Sequence, residues 1–236
     1  MIPYELQTVA NPSRLKRLSH RARFAQALRM IAPQPGQTIL DYGTGDARLL
    51  TLLYKQEPRA DYIGYEPVAE MNEQARRLLQ AADVPARLLT TDTDLQGLQC
   101  DRVVCMEVFE HLDAPQLARA FNDLRTLLRP DGRLVLSVPV EIGAAALLKN
   151  TVRAVAGQRN ENASWRHVAA ATFGRTANIP RRSRAGYIDA HLGFDYRVLR
   201  TQLRAEGFSV EAETFAPVPL LGPALNSQVF WRCARR

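Results

Sequence analysis

Apolar and polar positions alternate along this chain with two different periods. Residues 13–32 repeat apolar positions at helical spacing, with Leu15, Leu18, Ala22, Ala25 and Leu28 on one face. Pro33-Gln-Pro-Gly36 ends that helix. Beyond it, short apolar runs alternate with helix-period stretches. The runs at 37–42, 61–65, 86–91, 101–106 and 132–138 predict strands, and 46–56, 67–82, 114–128 and 195–206 predict helices. Arg129-Pro-Asp-Gly132 reads as a turn ahead of the fifth strand. Strands alternating with helices predict an α/β fold: a mostly parallel sheet covered on both faces.

The end of the chain departs from that rhythm. Phe208 to Phe215 and Gln228 to Cys233 read as two strands with no helix between them, which predicts an antiparallel last strand. Their link, Ala216-Pro-Val-Pro-Leu-Leu-Gly-Pro223, is proline-rich and reads as a loop. Between the fifth strand and the helix at 195 lie roughly 55 residues, too many for an ordinary connection. Residues 140–194 are therefore expected to form an inserted lid over the acceptor region, and 1–35 an N-terminal helical cap, on a single domain spanning 1–236.

Composition narrows the setting. Hydrophobic residues make up 46% of the 236, ordinary for one folded domain. No apolar run approaches the ~20 residues that span a bilayer; the longest, Ile142 to Leu148, is closed by Glu141 and Lys149. The N-terminus lacks a signal-peptide layout, and Cys100, Cys105 and Cys233 lack metal or redox spacing, so the expectation is a cytoplasmic protein with reduced thiols. The net charge of +7 is uneven: +5 over residues 1–29, −6 over 30–148, +8 over 149–204 and zero over 205–236. An acidic centre is flanked by two basic segments.

The candidate chemistry begins at Ile39-Leu-Asp-Tyr-Gly-Thr-Gly-Asp-Ala47, a strand followed by an acid and two glycines. Glycine allows a tight turn and close approach to a ligand. A G-x-G-x-x-G dinucleotide fingerprint needs a third glycine at position 48, which is Arg48. The carboxylate of Asp41 also repels a pyrophosphate and attracts positive charge.

This stretch resembles the first motif of the class I S-adenosylmethionine-dependent methyltransferases, with Ala47 in place of a final glycine. The resemblance covers roughly residues 36–140, and 191–234 more weakly. It implies a Rossmann-like seven-stranded sheet with S-adenosylmethionine as cofactor and S-adenosylhomocysteine as product. Asp41, Gly43 and Gly45 are then expected at the cofactor. Glu66, closing Tyr62-Ile-Gly-Tyr-Glu66, is expected on the ribose hydroxyls, since a carboxylate accepts two hydrogen bonds at once. Asp92 is expected at the adenine amino group, with Asp94 a weaker claimant. Each has a plainer reading alone: a turn for the glycines and Asp92, and a helix-start acid ahead of Pro67 for Glu66.

Glu107-Val-Phe-Glu-His-Leu112 follows the fourth strand and resembles small-molecule methyltransferases, including ubiquinone-pathway O-methyltransferases, and small-RNA 2′-O-methyltransferases. Glu107 and His111 are expected to face the transfer zone, Glu107 also touching the cofactor and His111 serving as general base, its ordinary pKa of about 6.5 suiting that role. In some relatives the two acids and the histidine hold a divalent metal. Here Glu107, Glu110, His111 and His191 are candidates for one if helix begins at once, but the favoured reading has no metal.

Arg14, Lys16, Arg17, His20, Arg21 and Arg23 crowd the first helix, and Arg175, Arg181, Arg182 and Arg184 crowd the insert. The resemblance puts both beside the acceptor. They read as a solvated face or as a site for a small or lipid-linked anionic acceptor, because arginine forks suit such groups. Few aromatics interleave, which disfavours nucleic acid. Ala144 to Ala156 is weakly amphipathic, which admits peripheral membrane contact. The expected function is O-methylation of such an acceptor. The alternatives are RNA 2′-O-methylation and a non-catalytic cofactor-binding scaffold.

Overall fold

A computed structural model describes residues 14–155, 164–183 and 187–236, the side chains of residues 14–19 excepted. Seven strands form one sheet in the order β3-β2-β1-β4-β5-β7-β6. They are β1 Thr38–Tyr42, β2 Asp61–Tyr65, β3 Arg87–Leu89, β4 Cys100–Met106, β5 Leu128–Pro139, β6 Phe208–Ala216 and β7 Gln228–Arg235. The first five pair in parallel, and β7 runs antiparallel between β5 and β6. The helices are α1 Arg14–Ile31, α2 Arg48–Gln56, α3 Ala69–Ala81, α4 Ala114–Leu127, α5 Gly143–Val155, α6 Trp165–Thr172, α7 Tyr196–Ala205 and the short α8 Gly222–Leu225.

The two-residue period of each strand explains the layers, because alternate side chains leave opposite faces. Leu40, Val103, Cys105, Leu134, Leu136 and Trp231 enter one core with Phe121 and Leu124 of α4 and Leu199 and Leu203 of α7. Their neighbours Ile39, Val104, Val135 and Phe230 enter a second core with α1, α2 and α3. A strand buried on both faces must be apolar nearly throughout, which is why these strands were readable as runs. Local chemistry sets the helix starts. Asp113 accepts the N–H of Gln116 at 3.2 Å and the Gln116 side chain accepts that of Asp113 at 3.3 Å, so α4 begins with a capping box.

Several details depart from the sequence reading. Residues 129–132 form no turn ahead of β5 but a bulge inside it: Cys100 pairs with Leu128 and Arg102 with Arg133, so β5 advances five residues while β4 advances two. On α1 the core-facing residues are Phe24, Ala27, Leu28, Met30 and Ile31, and Ala25 is exposed. The side chains of Leu15 and Leu18 lie outside the described residues. The link after β6 carries a 3-10 turn at Pro219–Leu221 and α8, because Asn226 bonds the backbone of Val218 and Gly222 and folds the segment on itself. Helix α3 starts at Ala69, two residues after Pro67. Among the described residues the segment after β5 contributes α5, α6 and a small core of Ala146, Val168, Ala171, Ile179 and Leu192. An isolated bridge between Leu112 and Tyr187 fastens it beside the end of β4. No described helix is long and apolar enough to cross a membrane.

Candidate active site

Strand order reverses between β1 and β4, and in such sheets the crevice at the carboxyl ends there is where ligands bind. Two loops meet at that point. The one after β1 carries Gly43 and Gly45, with φ of +80° and +58°, a region that disfavours any side chain. A Cβ on Gly43 would stand 2.5 Å from Val108 in the loop after β4, so glycine is required for the two loops to touch. The N–H groups of Gly43 and Thr44 both donate to Tyr65 O, at 2.8 and 3.0 Å.

Asp41, Glu66, Asp92 and Asp94 are all hydrogen-bonded. Asp41 is buried and accepts the Thr44 hydroxyl at 2.7 Å. Burial pushes its pKa up to about 7; the Thr44 bond lowers it, while Glu66 and Asp46 add to the rise. Glu66 is also buried. Its Oε2 accepts Gly45 N–H and its Oε1 accepts Val68 N–H, each at 3.0 Å. Burial raises the Glu66 pKa and those two bonds oppose the rise. The carboxylate thus ties the glycine loop to the start of α3, and each oxygen keeps a lone pair for a further donor. Asp92 lies at the rim, bonded by the Tyr65 hydroxyl and paired with Arg119 at 3.3 Å. Asp94 accepts the N–H groups of Thr90 and Thr91 and serves as a cap.

The loop after β4 is less regular than expected. Glu107 sits at φ +57°, a 3-10 turn covers Phe109–His111, and helix resumes only at Ala114. The three polar residues of the string therefore do not share a helical face. Glu107 Oε2 lies 3.7 Å from Arg23 of α1. Glu110 points inward, 1% exposed, and neither carboxyl oxygen has a hydrogen-bond partner. Burial, then the charge of Glu107, raises its pKa well above the carboxylate range; Arg181 and Arg23 oppose the rise. Glu110, His111 and His191 bring ligand atoms within 4.8 Å of one another, and Glu107 is not part of that group.

His111 is fixed by the segment after β5. Its Nδ1 lies 2.8 Å from Ile188 O, and a carbonyl only accepts, so the proton is on Nδ1 and Nε2 keeps its lone pair. The ring stacks on Tyr187 at 4.5 Å and meets His191 edge-on at 4.8 Å. Burial lowers the His111 pKa, and the Ile188 bond and Glu107 partly offset that. His191 is lowered further, to about 4, again chiefly by burial. Arg181 donates to the carbonyls of Glu110 and Ala190. Glu141, buried at the end of β5, accepts Lys149 at 2.9 Å and leaves its Oε2 without a partner. Tyr187, Ile188 and the Glu141–Lys149 pair carried no sequence signal. Of the basic clusters, Arg23 and Arg181 reach the site, Arg21, Arg175 and Arg182 are exposed, and Arg184 lies outside the described residues.

A glycine turn after β1, an acid at the end of β2 binding that turn, and the strand order 3-2-1-4-5-7-6 now stand together. A family model described as a methyltransferase domain matches residues 14–177. The chain belongs to that family, the S-adenosylmethionine-dependent class I methyltransferases. Over its full length it superposes on the PH0226 protein of Pyrococcus horikoshii OT3, with TM-score 0.66 and 14% identity, covering 99% of this chain and 96% of that one. It also matches the magnesium protoporphyrin IX methyltransferase of Synechocystis PCC 6803, with TM-score 0.59, 16% identity, and 95% and 88% of the two chains covered. At this identity these matches speak for the fold. In sequence, a 37.1 kDa protein of transposon TN4556 from Streptomyces fradiae is 35% identical over 114 residues, 45% of this chain. That match spans 31% of the relative's length.

Proposed function

We propose that this methyltransferase methylates an oxygen of a small or lipid-linked anionic acceptor, with Asp41, Gly43, Gly45, Glu66 and Asp92 holding S-adenosylmethionine and Glu107 and His111 facing the transfer zone. The residues present fit that cofactor. Glu66 is pinned by two backbone N–H groups yet keeps acceptor capacity, and Gly43 lets the turn after β1 pack directly on Val108 of the loop after β4. S-adenosylmethionine supplies an electrophilic sulfonium methyl when bound. The protein's own task is to align an acceptor oxygen with that methyl and to remove its proton.

The state of His111 carries the reading. Its Nε2 keeps a lone pair, 3.8 Å from a Glu110 carboxyl oxygen, and burial keeps the ring neutral near pH 7. A neutral imidazole can take a proton at Nε2, and the resulting imidazolium is stabilised by the Ile188 carbonyl at Nδ1 and by the charge of Glu107. A hydroxyl acceptor needs such a base, because it keeps its proton at neutral pH. Arg23 and Arg181, both close enough to act on the Glu110 carboxyl, supply positive charge for an anionic acceptor. Solved structures sharing the fold include a mitomycin 7-O-methyltransferase and a cyclopropane synthase from Mycobacterium tuberculosis, so the fold by itself does not name the acceptor.

The test is transfer of a radiolabelled methyl from S-adenosylmethionine into fractionated cell extract. The reading expects label in acidic small-molecule or lipid fractions, and none there with His111→Gln. Label confined to RNA would favour the 2′-O-methyltransferase alternative. Tight cofactor binding without any labelled product would favour a non-catalytic scaffold.

A further inference from the structure

Helix α5 is packed inside out. Its exposed positions are Ala144, Leu147, Leu148, Thr151, Val152 and Val155, which recur at three- and four-residue spacing and form one stripe. Val155 is 86% exposed. Toward the domain the helix turns Ala145, Ala146, Lys149 and Asn150. The Lys149 ammonium donates to Val140 O at 2.9 Å, Glu141 Oε1 at 2.9 Å and Ser227 O at 3.1 Å, and buried Asn150 donates to Ala146 O at 2.8 Å. A helix on a protein surface ordinarily buries its apolar stripe and wets its polar one. Here Lys149 and Asn150 are bonded within the fold, Arg153 beside them keeps one buried nitrogen unbonded, and the aliphatic side is left outward.

The link between β6 and β7 repeats the inversion. Buried Asn226 donates to Val218 O and Gly222 O and accepts Val218 N–H, each at 2.7 Å, so the segment is held from within by one amide. Its leucines point away: Leu220 is 97% exposed, and Val218, Leu221 and Leu225 are about half exposed. Helix α8 packs on α5, and Lys149 reaches Ser227 at the end of the link, so the two aliphatic surfaces adjoin. In sequence the segment after β5 is mostly basic: residues 142–188 carry eight basic and one acidic residue, Asp189 follows, and 217–227 carry no charge. Arg166, Arg175 and Arg182 are exposed.

We infer that α5 and the 217–226 link form a docking surface for an anionic lipid bilayer. Leucine and valine suit the acyl boundary, and the arginines suit a layer of acidic headgroups. A second copy of the chain fits less well. A two-fold interface would set the basic segment against itself. The inference rests on this surface alone and does not depend on the reaction or the cofactor.

Co-sedimentation of the full chain with vesicles tests it. One set is equal parts phosphatidylcholine and phosphatidylglycerol, the other phosphatidylcholine alone. The chain is expected to sediment with the mixed vesicles, at least about tenfold better than with the neutral ones, and less as salt shortens the Debye length. Leu220→Asp and the pair Leu148→Asp with Val152→Asp are each expected to cut that binding about tenfold. An unchanged circular-dichroism melt shows that the variants fold. A chain that stays in the supernatant overturns the inference, as does variant binding equal to the parent's. So does a dimer in sedimentation equilibrium that the same substitutions dissolve, with no vesicle binding.

Discussion

The two ends of this crevice are built differently. At the β1 and β2 ends, the acids are held by short-range bonds, Asp41 by Thr44 and Glu66 by Val68, and by Gly45 from 21 residues earlier, with both Glu66 oxygens bonded. After β4 and β5 the carboxyls are buried without full partners. Glu110 has neither oxygen bonded, and Glu107 and Glu141 each leave one oxygen unbonded. The contacts that fix this end come from far along the chain, His111 from Ile188 and Glu110 from Arg181. A buried polar atom left unsatisfied costs about 1–3 kcal/mol. One end is therefore a finished cradle. The other carries a cost that the hydroxyl groups of a bound acceptor would offset.

The comparison can be broken first at His111. His111→Gln keeps a bulky polar side chain but removes the base, and kcat is expected to fall by about 10²–10⁴ with KM for the cofactor unchanged. The parent's activity should fall as pH drops through the His111 pKa, which burial places below the ordinary 6.5, and His111→Gln should lose that acid limb. An acid limb at or above pH 6.5 would reassign the base.

A smaller effect is expected at the finished end. Gly43→Ala forces a Cβ against Val108 at a positive φ and is expected to weaken cofactor binding by about tenfold or more through the shifted turn. Calorimetry checks it. Binding equal to the parent's would mean that the turn is not part of the cradle.

Stability should respond to pH through the buried acids. Asp41, with a folded pKa of about 7, and Glu110, raised well above its ordinary value, hold protons that the unfolded chain has released by about pH 4–5. The folded state binds the extra protons, so these groups make stability fall as pH rises from about 4 toward 7 and beyond. Glu110→Gln is expected to flatten that fall and to stabilise the protein near pH 8 by about 1 kcal/mol or more. A variant that melts lower than the parent at that pH would show that Glu110 is ionised and paired.

The smallest expected effect is none. If His111 acts as a base, prolonged treatment with EDTA leaves methyl transfer unchanged. Loss on chelation and recovery with a divalent cation would instead make Glu110, His111 and His191 a metal site.

The same contrast explains what the sequence disclosed. The glycine turn, Asp41, Glu66 and the strands bear local signatures, because a tight turn, a strand-end acid and an apolar run each need only a few neighbouring residues. The register bulge at 129–132 was not legible, since a Pro-Asp-Gly run serves a bulge as well as a turn. Nor was the state of the Glu107–His111 string. Its residues were visible, but its conformation is set by Gly43 against Val108, by Arg23, and by the Ile188 carbonyl, contacts that no spacing encodes. Asp94 carries two local readings for a related reason, since an acid three residues after Thr91 fits a capping box as well as a ligand contact. Inverted α5 presents the same periodicity as any amphipathic helix, and only packing reveals which side faces out.

The most direct measurement is calorimetric titration of S-adenosylmethionine and S-adenosylhomocysteine into the protein and into Glu66→Ala. The account predicts micromolar binding of both by the parent. In the variant, loss of two charge-assisted bonds to the glycine loop and α3 lowers affinity about a hundredfold. No binding by the parent, or equal binding by Glu66→Ala, would contradict it.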